Sequence, residues 1–403
     1  MTVWCKTKDR PDCKMIQQEW HQRKGIEMAT GRKLVLGGRE NVKVAIVQKA
    51  PRFLDKEASL TRAEAHIAEA AAAGAELIVF PEVWLAGYPY WTEGWDSPLQ
   101  SWAGGRIAFR EAAVLAPSED TERLGAAAAK AGAYVVMGSN EIDPRPEVST
   151  IYNCLLFFDR QGRLMGRHRK TMPTFTERLF WGQGDASDLR IFETDIGRIG
   201  GLICGEHLMT LVRAAMIGLG EEIHVAVFPG AFALHTGPEL EEWDSDHTSF
   251  WGHASVRAHA LEAGAFVLSA CGQIDDADIP DDFPYKGKMN IRYARGGSSI
   301  IAPLGIPLAG PVEGPQILYG ELQAWMIKAW KAIIDTTGHY SRPDLVRLMV
   351  SDHAPSRDGA GSFKSSLENV APRALAEAAD RHAVAPARAE ALIDATLGDR
   401  RTA

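Results

Sequence analysis

The sequence predicts an α/β protein with mixed sheets, on three observations. Short apolar runs have the length of strands, helical stretches separate the first of these runs, and glycine-bearing four-residue loops separate later ones. Val42-Lys43-Val44-Ala45-Ile46-Val47-Gln48 alternates and then runs apolar, as a buried strand does, and Pro51 ends it. Asp55 is placed to cap a helix whose apolar residues Leu60, Ala63, Ile67 and Ala71 repeat at helical spacing up to Gly74. Leu77-Ile78-Val79-Phe80 is a short buried strand stopped by Pro81-Glu82, and a helix over residues 120–130 leads through Gly132 into Tyr134-Val135-Val136-Met137-Gly138. This recurrence of strand, helix and strand gives parallel pairs. Asp159-Arg160-Gln161-Gly162, between strands over 152–158 and 164–169, and Asp195-Ile196-Gly197-Arg198 are hairpin loops and give antiparallel pairs. The run Ile199-Gly200-Gly201-Leu202-Ile203 closes on Cys204, with a helix from Leu208 onward. A strand over 225–228, a helix over 249–263, a strand over 266–269, a hairpin around Leu304-Gly305 and a strand over 316–322 follow. Such a mixture implies mixed sheets, and two of them with helices outside would bury every apolar face.

Composition narrows the partners. Of 403 residues, 46% are hydrophobic and 24% charged, as in an ordinary globular protein with ample core, so one large domain with extensions is expected. A net charge of −8 argues against nucleic acid or an anionic membrane as partner, since phosphate binding needs a concentrated basic surface. The five cysteines are an odd number without a C-x-x-C pair, and no secretory signal is seen, which points to a reduced cytoplasm. No apolar window of about 18 residues exists for a membrane-spanning helix. Residues 1–40, polar and rich in Lys, Arg and Gln, read as a loosely ordered extension in which Met28 is another candidate start. Residues 41–344 form the expected domain. Residues 345–403 read as a tail, with a linker at Asp358-Gly359-Ala360-Gly361-Ser362 and an alanine-rich stretch over 373–397.

Polar groups at three strand ends carry the expected chemistry. Cys204 stands where a strand stops and a helix begins; a sharp turn, permitted by Gly205, would hold the sulfur out, and the helix N-terminus would favour a thiolate. On this segment alone Cys204 reads equally well as a small buried hydrophobe. Glu82 follows Phe80-Pro81, and Lys170 follows Arg167-His168-Arg169. Sites in open α/β architectures gather at such strand ends. Brought together, Glu82 would take the thiol proton, Cys204 would attack an electrophilic carbon, and Lys170 would stabilise negative charge and move a proton. The blander readings are a turn cap for Glu82 and a solvated charge run for Lys170. His247, His253 and His259 recur every six residues, which shares no helical face, so neither a metal nor a cofactor is expected. In the aromatic loop, Tyr88 and Trp91 are expected to line a substrate pocket.

Phe80-Pro81-Glu82, His168-Arg169-Lys170 and Cys204-Gly205-Glu206 follow in that order. They are joined by Gly87-Tyr88-Pro89-Tyr90-Trp91, Pro173-Thr174, Glu177-Arg178, Trp181-Gly182-Gln183-Gly184-Asp185 and Gly338-His339-Tyr340-Ser341-Arg342-Pro343-Asp344. Over residues 42–344 the chain resembles the nitrilase superfamily of carbon-nitrogen hydrolases, and within it the nitrilase branch. The resemblance implies a four-layer α-β-β-α sandwich of two mixed sheets with helices on the outer faces. It implies Glu82 as general base, Lys170 as electrostatic catalyst, Cys204 as nucleophile and Glu177 as a second glutamate that positions substrate. It also implies conversion of an organic nitrile to the carboxylic acid and ammonia through a cysteine thioimidate and thioester, with some amide product. An amidase or N-carbamoyl hydrolase is the alternative, and a catalytically silent assembly subunit a second one. Glu206 and His207 match family positions beside the nucleophile and are grouped with Tyr88 and Trp91 around substrate, Glu206 as buried support. Gly205 departs from the tryptophan common there, which bears on pocket size. The expected partners are a small nitrile or amide and further copies of the chain, as a homodimer or larger homo-oligomer including spirals, with the tail involved in association by analogy.

Overall fold

The structure is a computed structural model that describes residues 34–91, 99–231, 251–289, 291 and 294–350. The described residues fall into two units, residues 34–184 with 190–347 and residues 185–189 with 348–350. The first holds both sheets; of the second, Asp185 caps the short turn Ala186–Asp188 by accepting from the Ser187 N–H. The predicted linker and alanine-rich tail lie outside the described residues.

In chain order the elements are β1 (Asn41–Gln48), α1 (Lys56–Ala72), β2 (Leu77–Val79), α2 (Leu99–Glu111), α3 (Glu119–Ala131), β3 (Tyr134–Ile142), β4 (Ile151–Phe158), β5 (Leu164–Arg169), β6 (Phe192–Thr194), β7 (Gly197–Ile203), α4 (Thr210–Leu219), β8 (Ile223–Phe228), α5 (Trp251–Ala263), β9 (Phe266–Cys271), β10 (Gly296–Ile301), β11 (Pro307–Glu313), β12 (Gln316–Gln323) and α6 (Ala324–Ile333). They build two six-stranded sheets, ordered β12-β1-β2-β3-β4-β5 and β11-β10-β9-β8-β7-β6. In each, three central strands run parallel through helical crossovers and the flanking strands are antiparallel. The sheets are therefore mixed, in a four-layer α-β-β-α sandwich.

Period-two patterning fixes the layers. Val42, Val44 and Ile46 of β1, Leu77 and Val79 of β2, Val136 of β3 and Leu155 and Phe157 of β4 share one apolar cluster with Ile199, Ile203, Val225 and Val227 of the second sheet. The alternate residues Ala45, Val47, Ile78, Val135, Met137, Leu156 and Phe158 share another with Leu60, Ala63 and Ile67 of α1 and Leu124 and Ala128 of α3. A one-residue slip of β1 would exchange these faces, and each buried aliphatic side chain contributes roughly 1.5–3 kcal/mol, so the register is strongly held. Asp55 caps α1 through the Ala58 N–H, as its position predicts.

Several boundaries differ from expectation. Ordered packing begins before residue 41: Leu36 is fully buried in the inter-sheet cluster. The helix expected from Leu208 starts instead at Thr210, after a 3₁₀ turn over Cys204–Leu208. α2 and α6 carry no expectation from the sequence; adjacent Gly104 and Gly105 depress the helix propensity of α2. No described helix is long and apolar enough to cross a membrane.

This topology brings three strand ends together. Glu82 lies just past β2 and Lys170 just past β5 in the first sheet, and Cys204 just past β7 in the second. The Pro81-Glu82 segment crosses β3 at backbone distance. A Cβ on Gly138 would come within 1.8 Å of the Pro81 carbonyl oxygen, so only glycine fits beneath it.

Candidate active site

Glu82, Lys170, Glu177 and Cys204 are all buried, the lysine 1% exposed. Lys170 Nζ donates to Glu82 Oε1 at 3.0 Å and to Glu177 Oε2 at 2.7 Å, and so bridges the two carboxylates. Cys204 Sγ and one oxygen from each carboxylate lie within 4.8 Å of one another. Asn153 Nδ2 donates to Glu82 Oε1 at 2.6 Å, whereas Glu82 Oε2 is buried without a hydrogen-bond partner among the described residues. Glu177 sits in the 3₁₀ turn Phe175–Leu179; its Oε2 also accepts the Thr174 N–H and its Oε1 accepts the Tyr88 hydroxyl at 2.8 Å.

Charge accounting explains the electrostatics. Burial disfavours the Lys170 ammonium, yet Glu177 and Glu82 more than offset this and hold it charged. Two carboxylates around one ammonium leave one excess negative charge. Burial, with the neighbouring Glu177 charge, therefore raises Glu82 to about 7 despite the pull of Lys170. The Cys204 thiol is pushed well up by burial and by the Glu82 charge; Lys170 and the Gly205 N–H only partly counter this. The resting sulfur is thus a thiol beside a carboxylate. The pull toward a thiolate expected from a helix N-terminus is missing, because the α-helix starts six residues on and its dipole is effective only over the first turn.

The turn itself departs from expectation. The strained residue is Cys204, with φ +49°, a region costing a non-glycine residue about 1–3 kcal/mol. Gly205 leaves room for Thr174 as it stands: a Cβ there would lie 2.5 Å from Thr174 Oγ1, so that side chain would have to shift. Glu206 braces the turn, accepting from the Ile203 N–H at 2.8 Å, the Thr171 N–H at 2.8 Å, Thr171 Oγ1 at 2.6 Å and His168 Nε2 at 2.7 Å. Burial alone would raise Glu206, but the His168 charge and these donors hold it down at about 2.

Of the residues grouped around substrate, Tyr88 lines a recess with Glu82, Tyr90, Trp84 and Gln273. Trp91 instead packs edge-on against Phe53, Phe109, Phe180 and Phe283, because that aromatic cluster offers it a fully apolar seat. Glu206 and His207 lie beneath the turn, their polar atoms engaged by protein groups. Asn153 and Thr171 escape sequence reasoning, while His168 and Thr174 enter it only as members of motifs, without a role. Asn153 left a signal of its own: an amide inside the apolar strand Ile151–Phe158.

Among the described residues, two buried sets have the spacing for a cation, Glu82 with Glu177 and Cys204, and Glu221 with His224 and His259. In each, protons bridge the facing atoms, on Lys170 in the first and on imidazoles in the second. Of the histidines compared in the sequence, His247 lies outside the described residues, and only His259 joins such a set.

A buried cysteine, two carboxylates and an ammonium suit nucleophilic attack on carbon with proton transfer at one oxygen. A family model described as carbon-nitrogen hydrolase matches residues 43–332. The chain belongs to the carbon-nitrogen hydrolase family. This carbon-nitrogen hydrolase is 39% identical over 340 residues to the bifunctional nitrilase/nitrile hydratase NIT4A of Lupinus angustifolius, covering 81% of this chain and 91% of that one. It is 37% identical over 326 residues to nitrilase 2 of Arabidopsis thaliana, with 77% and 89% covered. Saccharomyces cerevisiae Nit3, a member of branch 10 of the nitrilase superfamily, shares its fold with a TM-score of 0.57 at 23% identity, over 75% of this chain and 97% of that one.

Proposed function

We propose that the protein is a nitrilase that hydrolyses an organic nitrile to the carboxylic acid and ammonia, with Cys204 as nucleophile, Glu82 as general base, Lys170 as electrostatic catalyst and Glu177 as the group that positions the ammonium and substrate. One observation carries this reading: the Cys204 sulfur stands within 4.8 Å of both carboxylates that Lys170 bridges. The sequence relationship to nitrilases over most of the chain supports it.

Glu82 takes the thiol proton as sulfur attacks the nitrile carbon, forming a C–S bond while one π bond becomes the nitrogen lone pair. The nitrogen gains charge beside Lys170 and takes the proton that Glu82 received from sulfur, giving a thioimidate and restoring the Glu82 carboxylate. A first water, deprotonated by Glu82, adds to that carbon; the nitrogen takes a proton and leaves as ammonia, and a thioester remains. A second water hydrolyses the thioester and returns the proton to sulfur. The sum is RCN + 2H₂O → RCOOH + NH₃. If the tetrahedral adduct expels sulfur before nitrogen, one water is consumed and the amide leaves, matching the two activities in the name of the Lupinus relative.

Tyr88, whose hydroxyl ties Glu177 to the recess wall, borders the substrate. The catalytic domain spans residues 41–344. Self-association, through apolar residues such as Leu208 and Leu211 that stand exposed after the nucleophile, and a reducing cytoplasmic home for the thiol belong to the same reading. The deciding experiment incubates the wild type, Cys204→Ala and Cys204→Ser with a panel of nitriles, quantifying ammonia, acid and amide. The first variant is expected to be inactive and the second nearly so, and full turnover by either would overturn the assignment.

A further inference from the structure

Behind the nucleophile a fully buried chain of polar groups runs from the Cys204 backbone to the start of β8. His207 Nδ1 faces the Cys204 carbonyl oxygen at 2.9 Å. His207 Nε2 faces His224 Nε2 at 3.0 Å, and His224 Nδ1 faces Glu221 Oε2 at 2.8 Å. The other oxygen of Glu221 is bonded to His259 Nε2, and the two rings against this carboxylate, His224 and His259, lie 4.0 Å apart.

A carbonyl oxygen only accepts, so His207 Nδ1 carries a proton. The contact between the two Nε2 atoms needs one proton between them. A Glu221 carboxylate only accepts, so His224 Nδ1 carries a third. Two neutral imidazoles hold two protons, and this pair holds three: one imidazolium is shared by His207 and His224 and balanced by Glu221. His259 is not its seat, since its Nδ1 is buried without a partner among the described residues, which suits a lone pair and not an N–H.

Burial acts against the extra proton: it lowers His224 to about 4 even with the Glu221 carboxylate beside it, and with the neighbouring imidazoles it holds His207 well below the usual range. Releasing it, however, would leave two lone pairs facing each other at 3.0 Å or strip the Cys204 carbonyl of its donor. The pair therefore keeps it as a unit.

We propose that Glu221, His224 and His207 form a charged strut that holds the Cys204 carbonyl and so aims the sulfur, making the three positioning residues for the reaction. The function of the strut follows from the local strain. Cys204 is at φ +49°, and such a conformation persists only where its surroundings over-determine it. Glu206 fixes the N–H of Ile203 on one side of the strained residue, and His207 fixes the carbonyl on the other. This inference rests on Cys204 as the nucleophile, and its test needs no nitrile.

The full-length protein and His207→Phe, which keeps a ring of similar size but no donor, are alkylated with iodoacetamide, and modification at Cys204 is followed by mass spectrometry. A fall of about tenfold in the alkylation rate is expected, the loss of one hydrogen bond. In parallel, nitrogen NMR of histidine-labelled protein at pH 8, with the signal of His168 against Glu206 assigned from a His168→Gln variant, should show a further doubly protonated imidazole signature from the His207–His224 pair in the wild type. In Glu221→Gln that signature should vanish, because the glutamine amide can donate to His224 Nδ1 and leave a neutral chain. Wild-type alkylation by a folded His207→Phe overturns the proposal. So does a wild type without an imidazolium on the His207–His224 pair, and so does stoichiometric zinc that ties His224 and His259 together in place of the protons. If His207→Phe does not fold, the wild type and Glu221→Gln spectra decide alone. A protein that passes these tests yet turns over no nitrile keeps the strut and loses the nitrilase reading.

Discussion

Lowering the pH through neutrality titrates Glu82, and the structure sets how much activity this removes. Its carboxyl is raised to about 7 because burial and the Glu177 charge outweigh the pull of Lys170. A base with that value is mostly ionised at pH 8 and about 1% ionised at pH 5, so kcat/KM should fall about a hundredfold between them. An ordinary carboxylate near 4.5 would lose only about a quarter over that range. The assay is the initial rate of ammonia release from a nitrile at each pH, with samples returned to pH 8 to show that loss is reversible. The sign of the stability linkage helps. Glu82 has a folded value above its unfolded one, so its contribution to stability is fully present below about 4.5 and is lost as pH rises through about 7. Acid therefore silences this base without unfolding the protein through it. Lys170→Met removes the cation that draws Glu82 down, and any residual activity should show its limb moved to higher pH. A wild-type rate that stays level down to pH 5, or a Glu82→Gln variant that turns over normally, would refute the reasoning.

Two further outcomes follow from the brace and the turn. Glu206→Ala strands the donors of Ile203, Thr171 and His168 in a dry interior, each at about 1–3 kcal/mol, so urea denaturation at pH 7 should show a loss of roughly 3–9 kcal/mol. Because Glu206 is held down at about 2, its contribution in the wild type is present above about 4.5 and is lost as pH falls through 2; a loss below about 1 kcal/mol at pH 7 would sink the brace. Gly205→Ala drives a methyl against Thr174 Oγ1 and so displaces the N–H that holds Glu177. kcat should fall about tenfold or more, and adding Thr174→Ala should recover part of it; a double variant no better than the single one would exclude the contact as the cause.

The fold was legible wherever one strand face met one kind of neighbour. The alternation of Val42, Val44 and Ile46 against Ala45 and Val47 states β1 outright, since each set belongs to its own apolar cluster. The hairpin at Asp159-Arg160-Gln161-Gly162 joins β4 to β5 as read. Strand ends named Glu82, Lys170 and Cys204 as polar interruptions, but their meeting depends on β2, β5 and β7 lying in two facing sheets, which no local pattern encodes. Lys170 shows the limit well. Its neighbours Arg167 and Arg169 pair with Glu141, while Lys170 lies past the strand end and turns fully inward, a difference invisible within a run of basic residues. Trp91 shows the reverse, an aromatic in a loop drawn into local packing because indole gains more from five rings than from a solvent-lined wall. The histidine chain was illegible for a simpler reason: His207, His224 and His259 come from three separate elements.

Base and ammonium descend from one sheet and sulfur from the other, so the gap across which bonds change is set by the apolar filling between the sheets. Side chains such as Val44, Phe157 and Val225 act as spacers for the chemistry without carrying any of it. A displacement near 1 Å can cost about a hundredfold in rate. Trimming or enlarging this interior should then detune turnover while the fold still holds, and selection on the rate would reach residues that stand nowhere near the substrate.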